Sequence, residues 1–227
     1  METSLHKQLK EHYAGASGEV EVRRGRYRID VVRRGTLIEI QHGGLAAIRD
    51  KVRRLCEEGA RVKVVKPIVA LKQIVKLDRE GGEQVSRRRS PKRGQLIDLF
   101  HDLIHFTRAF PHKKLVLEAV LVEVEETRYP GHGRRRRWRK NDHVVADQRL
   151  VAVGETRRFR TSADLLKMLP SGLPRPFDTG ELAAGLGVDR WVAQRAAYAM
   201  REMGALKTDG KRGNAVLYRP VGRRRAA

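Results

Sequence analysis

Tyr27-Arg-Ile-Asp-Val-Val-Arg-Arg-Gly-Thr-Leu-Ile-Glu-Ile-Gln41 consists of two alternating runs on either side of Arg34-Gly35. An Arg-Gly pair between such runs predicts a two-residue hairpin turn. With that loop, Arg33 faces Thr36, Val31 faces Ile38 and Asp30 faces Glu39. Cross-strand neighbours lie about 4.5–5.5 Å apart, and like charges there repel. Gln41, two residues past Glu39, points the same way. Ile29, Val31, Ile38 and Ile40 are expected on the opposite, core-facing side. Two carboxylates held side by side need a cation between them, a shared proton or open water. A divalent metal gives the arrangement a purpose; a surface hairpin with solvated acids is the bland alternative.

The hairpin sits in a strongly basic chain. Of 227 residues, 49 are Lys or Arg and 27 Asp or Glu, a net charge of +22, and 40% are hydrophobic, enough for a core. Such an excess points to a polyanionic partner, nucleic acid before an anionic membrane surface. No apolar run approaches the roughly 20 residues of a membrane helix, and the first residues are polar rather than a signal peptide. The single cysteine, Cys56, excludes internal disulfides and a cysteine zinc cluster. The expectation is a soluble, cytoplasmic, nucleoid-associated protein without a membrane partner.

Upstream, residues 2–14 read as a helix with Glu2, Leu5, Leu9, His12 and Tyr13 on one face. Glu2 therefore looks into the fold, unless the terminus frays. Glu19–Arg23 alternates and Arg24-Gly25 repeats the Arg-Gly turn, so residues 19–41 read as a three-stranded meander. In the simplest register Glu19 lies beside Asp30 and Glu21 faces Arg28. Downstream, His42-Gly43-Gly44 breaks the strand, and Leu45, Ile48, Val52 and Leu55 mark a helix. Lys51 lies at the edge of that stripe, either reaching back to the strand end or solvated. Arg61–Val65 is a strand ended by Pro67, giving a parallel βαβ crossover, and residues 68–77 continue as a strand or an extended segment.

The order helix, three strands, helix, strand, with Asp30 and Glu39-Ile-Gln41 at its centre, resembles the PD-(D/E)XK nuclease superfamily over residues 2 to about 77. The resemblance implies a restriction-endonuclease-like αβββαβ core in which Asp30, Glu39 and the Ile40 carbonyl bind Mg²⁺ (or Mn²⁺), with Glu2 assisting. The final motif residue, usually lysine, is here Gln41, which can orient water but supplies no charge. Some members move the lysine to the next helix, where Lys51 stands. Ile29 occupies the position where the superfamily often has proline. The implied catalytic set is thus Asp30, Glu39, Gln41, Lys51 and Glu2.

The rest of the chain divides by composition. Residues 1–80 form the nuclease-like unit, and 81–94, with Gly81-Gly82, Pro91 and a basic run, read as a linker. Residues 95–160 read as a connecting α+β region. A helix over Gln95–Ala109 carries His101 and His105 one turn apart, a metal-pair spacing that, without an HExxH pattern, is read as a surface or packing role. Strands follow at 115–126 and 148–160, joined by an exposed basic loop. In that loop Arg134, Arg135, Arg136 and Arg137 would hold phosphates and Trp138 would stack on a base; a disordered loop is the alternative.

Residues 161–220 have helix, tight turn, helix and a basic hairpin, and resemble a winged helix-turn-helix domain. Arg190, Gln194 and Arg195 would face a DNA groove, and Lys207, Lys211 and Arg212 would contact phosphates. Residues 221–227 are a basic tail. The whole reads as α/β: an endonuclease-like core, an α+β region and a winged helix. The function expected is a Mg²⁺-dependent DNA nuclease, with a homodimer favoured if both strands are cut. The alternatives are a non-catalytic DNA-binding protein on a nuclease scaffold and an RNA-binding or RNA-processing factor.

Overall fold

The hairpin at Arg34-Gly35 forms as expected. In the computed structural model, which describes residues 3–131 and 142–222, both turn residues have positive φ, 48° and 67°. That is the primed turn whose twist matches its flanking strands. It joins β2 (Tyr27–Arg33) to β3 (Thr36–Ile40), with Arg33 opposite Thr36 and Val31 opposite Ile38.

Around this hairpin the expected order appears: α1 (Ser4–Ala14), β1 (Glu19–Arg24), β2, β3, α2 (Arg49–Glu57) and β4 (Arg61–Leu77). α1 follows from Leu5, Leu9 and Tyr13 at four-residue spacing, all buried, and it ends at Gly15 with φ 53°. α2 carries the chain from β3 to a parallel β4, pairing Ile40 with Val65. β4 does not stop at Pro67. A proline lacks a donor and is tolerated only where no ladder bond is needed. The β3 side of β4 is last used when Gln41 N–H donates to the Val65 carbonyl, so Pro67 falls just past the end of that ladder.

The segment read as a linker also joins the sheet. β5 (Gln84–Arg89) pairs antiparallel with the far end of β4, and Gly94 N–H returns to the Val69 carbonyl. All six β5 residues are exposed, so no apolar alternation marks it. β6 (Leu115–Pro130) runs parallel to β4, and β7 (His143–Phe159) runs antiparallel to β6. The seven strands form one mixed sheet of order β1-β2-β3-β4-β6-β7, with β5 on β4. Residues 1–80 are therefore not a closed unit: β4 is shared by the expected nuclease-like and connecting regions. The expected helix over 95–109 is only a single turn at 96–99 followed by the short α3 (Phe100–Leu103).

The sheet curls around α1, which touches β1, β2 and β3 near one edge and β7 at the other. Inside the curl, Leu5, Leu9 and Tyr13 meet Val31, Ile38, Ile40, Val65 and the Val120-Val122-Val124 row. The outer face is covered by α2 and α3, and its core continues without a break into the C-terminal segment through Phe100, Phe106, Phe159 and Phe177. That segment comprises α4 (Ser162–Leu165), α5 (Thr179–Leu186), α6 (Arg190–Glu202) and the hairpin β8 (Leu206–Arg212)–β9 (Ala215–Pro220). Asp178 caps α5 through the Gly180 and Glu181 amides, and Gly187 closes it in the left-handed conformation. Among the described residues, no helix is long and apolar enough to cross a membrane.

Because both faces of the sheet are covered, the expectation that Ile29 and Val31 share a face fails. Ile29 packs on the α2 side, whereas Val31, Ile38 and Ile40 pack on the α1 side. The alternation of β2 changes phase at Asp30.

Candidate functional site

The phase change opens the hairpin at Asp30 and Glu39. Beyond Val31 and Ile38 no further regular pair is made. Instead Asp30 Oδ2 accepts from the Ile40 N–H at 2.7 Å, and the Asp30 amide faces the Glu39 carboxylate and favours its charged form. Glu19 pairs with Val32 rather than lying beside Asp30, because the first turn sits one residue later than expected, and the register leaves Glu21 level with Asp30 at a step where no regular pair is made. Glu21 has φ 57°, a strained backbone for a residue with a side chain. Its carboxylate is held by Lys10 Nζ at 2.6 Å and by Arg28.

The two acids occupy different environments. Asp30 faces α1, where His6 Nε2 lies 3.3 Å from Oδ1. Burial pushes the Asp30 carboxyl up, but the bonds from His6 and the Ile40 amide, with Lys51 nearby, leave it below its ordinary value. Glu39 turns to the α2 side and is only 4% exposed. Burial pushes its carboxyl up to about 7, and Lys51 offsets only part of that. Lys51 Nζ is 2.7 Å from Glu39 Oε1 and 2.6 Å from the Arg28 carbonyl. The contact with Glu39 is a charge pair rather than a well-directed hydrogen bond, and it leaves buried Oε1 without one of good geometry. Lys51 thus reaches back to the strand end.

Gln41 does not project freely. Its side-chain amide donates to the Gly44 carbonyl at 3.2 Å and braces the turn after β3. The same turn is fixed by buried Lys66, which donates to the His42 and Gly43 carbonyls and pairs with Asp102 at 2.8 Å. His42 stands edge-on to His6, ring centroids 5.9 Å apart. Burial, with His6 and Lys66 nearby, lowers His42 to about 4, so its ring is neutral at physiological pH.

A cavity of about 490 Å³ opens beside Asp30, lined also by His6, Lys10, Glu21, Arg28, His42 and Gln148. His6, His42 and Lys10 were not legible as site residues. Their one signal was position: His6 and Lys10 flank the Leu5–Leu9 stripe, and His42 follows the strand end directly.

The site offers oxygen donors that could hold a hard divalent cation, although Asp30 turns to the α1 side and Glu39 to the α2 side. Among the described residues no three His, Cys, Asp or Glu side chains form a ready-made metal cage. Mg²⁺, however, is commonly bound through one or two carboxylates, with water and substrate phosphate completing its shell. Asp30, Glu39 and the Ile40 carbonyl are all oxygen donors. The buried Glu39 Oε1, lacking a well-directed partner, is the atom such a cation would satisfy.

The C-terminal candidates divide. Arg190 and Gln194 on α6, and Lys207 and Lys211 on β8, are exposed. Arg195 is half-buried, with its guanidinium over the Trp191 ring and 3.4 Å from His101 Nδ1. His101 itself stacks on Trp191, centroids 4.8 Å apart, and is a packing residue as expected. Arg212 pairs with Asp178 and Glu181 at the start of α5, so it ties the hairpin to the helix pair. Glu2, Arg134, Arg135, Arg136, Arg137 and Trp138 lie outside the described residues.

A family profile described as "Domain of unknown function (DUF8091)" matches residues 3–160. That span runs from the start of α1 to the end of β7, so the family unit is the whole curled sheet rather than its first 80 residues. A Treponema pallidum (strain Nichols) protein, described as an uncharacterized protein, is 31% identical over 222 residues, covering 96% of this chain and 85% of its own length. No solved structure matches. The chain belongs to the DUF8091 family.

Proposed function

We propose that this chain is a metal-dependent DNA phosphodiesterase of PD-(D/E)XK type, with a winged-helix module at its C-terminus. One observation carries the reading: the β2–β3 ladder opens at Asp30 and Glu39, and the buried Glu39 is held beside Lys51 at 2.7 Å. A buried carboxylate lifted to about 7 is expensive to keep, and such groups cluster at functional sites. Asp30, Glu39 and the Ile40 carbonyl would hold one Mg²⁺ or Mn²⁺. That ion supplies Lewis-acid polarisation of a phosphate oxygen and a more acidic bound water.

The chain's own residues supply the rest. His6 and the Ile40 amide orient Asp30. Lys51 keeps positive charge against Glu39. Arg28, largely exposed at the cavity mouth, is placed to meet a phosphate. Arg190, Gln194, Lys207 and Lys211 face outward and would contact duplex DNA.

Cleavage of a panel of linear duplex, supercoiled plasmid, flap, junction and single strand tests the reading. It is run with Mg²⁺, Mn²⁺ or EDTA, beside Asp30→Ala and Glu39→Ala. Metal-dependent cutting, lost in both variants, is expected. Binding without cutting by any of the proteins would favour the second reading, a non-catalytic DNA-binding protein. The observation on its side is that the Gln41 amide is spent on Gly44.

A further inference from the structure

Beyond the Asp30 cavity, β4, β5, β6 and β7 extend the sheet past the reach of α1, and their shared face is basic. Two adjoining cavities of about 450 and 530 Å³ lie on it, both bordered by Ile74, Arg88, Arg128 and His143. The strand registers explain the convergence. Ile74 pairs with Arg88 on one side and Glu126 on the other, and Lys76 pairs with Ser86 and Arg128. Residues two apart on a strand share a face, so Lys72, Ile74 and Lys76 line up beside Arg88.

Some of these cations are structural. Buried Glu126 accepts from Lys72 at 2.5 Å and from Arg128. It also accepts from Gln148 at 2.6 Å, and Gln148 is a wall of the Asp30 cavity. One hydrogen-bonded group thus joins the basic face to the candidate site. Others have no such role: Lys76, Arg88 and Lys92 are exposed, and among the described residues they make no ion pair.

We infer that this face is a track for the sugar-phosphate backbone of a DNA strand, leading to the Asp30 cavity. The inference rests on the nucleic-acid reading above. Of the uncommitted cations, Lys76 borders one cavity and Lys92 the other, with Arg88 bordering both, so they are spread along the face rather than gathered at one point. That spread suits a chain of charges, not one phosphate. Among the described residues the face carries cations, the Ser86 hydroxyl and one acid, Asp142, with no asparagine or glutamine in its lining, a surface suited to backbone contacts that position a strand.

The test is a salt titration of binding in EDTA, where no metal-dependent cutting occurs, using labelled duplex DNA, single-stranded DNA and RNA of one sequence. The full-length protein is compared with the triple variant Lys76→Gln, Arg88→Gln, Lys92→Gln and with Lys207→Gln, Lys211→Gln. The triple variant replaces only exposed, unpaired side chains, and an unchanged melting temperature checks its fold. Each phosphate contact contributes about 0.7–0.9 to the slope of log affinity against log salt. The triple variant should therefore lose about 2–3 from the slope and at least tenfold in affinity near 0.1 M salt. The loss should add to that of the hairpin variant.

Wild-type DNA binding with an unchanged slope in the triple variant would overturn the track and leave the nucleic-acid reading standing. Tighter binding of RNA than DNA at matched salt would overturn DNA as the occupant. No binding of any nucleic acid by the wild type would overturn both readings. A reduced slope in a protein that cuts nothing would keep the track and reject the phosphodiesterase.

Discussion

Glu39→Gln should stabilise this protein at high pH and not at low pH. The carboxyl is raised from an ordinary 4.5 to about 7 by burial. At about 1.4 kcal/mol per pH unit, charging it costs the folded state on the order of 3 kcal/mol. The sign follows from proton counting: between those two values the folded chain holds a proton that the unfolded chain has released. Stability therefore falls as pH rises from about 4.5 to about 7, and the whole cost is present above that. Glutamine is a neutral isostere and does not titrate. Carboxyls held low that do not act on Glu39, such as Glu118 and Glu126, weaken both proteins equally in acid and drop out of the difference. For a chain of this size about 1 kcal/mol shifts the melting temperature by about 2–4 °C. In EDTA, Glu39→Gln should melt about 6–12 °C above wild type near pH 8, with most of that gap gone near pH 5. Adding Mg²⁺ should then raise the wild type alone, because a cation bound to Glu39 offsets the same cost. A gap equal at the two pH values, or a variant less stable at pH 8, would refute the argument that Glu39 is charged at the expense of the fold.

Other features give independent expectations. Glu118, 1% exposed, accepts from Tyr13 Oη at 2.7 Å and Arg158 Nε at 2.6 Å and pairs with Lys63. Glu118→Ala leaves those partners unpaired and should cost about 3 kcal/mol in a urea unfolding titration. Arg34 has φ 48° in the hairpin turn, so Arg34→Asn should raise stability by about 0.5–1 kcal/mol in the same titration, asparagine tolerating that conformation better. Arg212→Ala breaks exposed ion pairs with Asp178 and Glu181. It should change stability by less than about 1 kcal/mol and weaken DNA binding less than Lys211→Ala, by fluorescence anisotropy.

What was legible in the sequence was whatever rested on local pattern. The Arg34-Gly35 turn, its register to Val31–Ile38 and the α2 crossover all follow from alternation, turn chemistry and helical phase, whereas helical phase put Lys51 only at the edge of its stripe and left its contact with Glu39 undecided. The extent of the sheet was not legible. β5 is exposed along its whole length and is defined by backbone pairing to β4, which leaves no hydropathic trace. Pro67 was read by its usual habit, and only the early end of β3 makes it harmless inside β4. The same limit hid the cavity. His6 and Lys10 approach Asp30 and Glu21 because the sheet curls round α1, a long-range fact that helical spacing cannot contain.

The curl also explains why the acids lie where they do. A sheet covered on both faces can be apolar throughout, and Leu37, Ile38 and Ile40 obey that rule. Glu39 breaks it on the α2 face, in line with Leu37 and beneath a helix whose inner residues are otherwise Val52, Leu55 and Cys56. A leucine or valine there would satisfy the packing, and Lys51, which keeps its bond to the Arg28 carbonyl, would not be stranded. On stability alone Glu39 is the wrong residue at its position. Such local violations are characteristic of positions kept for chemistry. This is the physical ground for the proposal that a functional site lies at the open end of the β2–β3 hairpin.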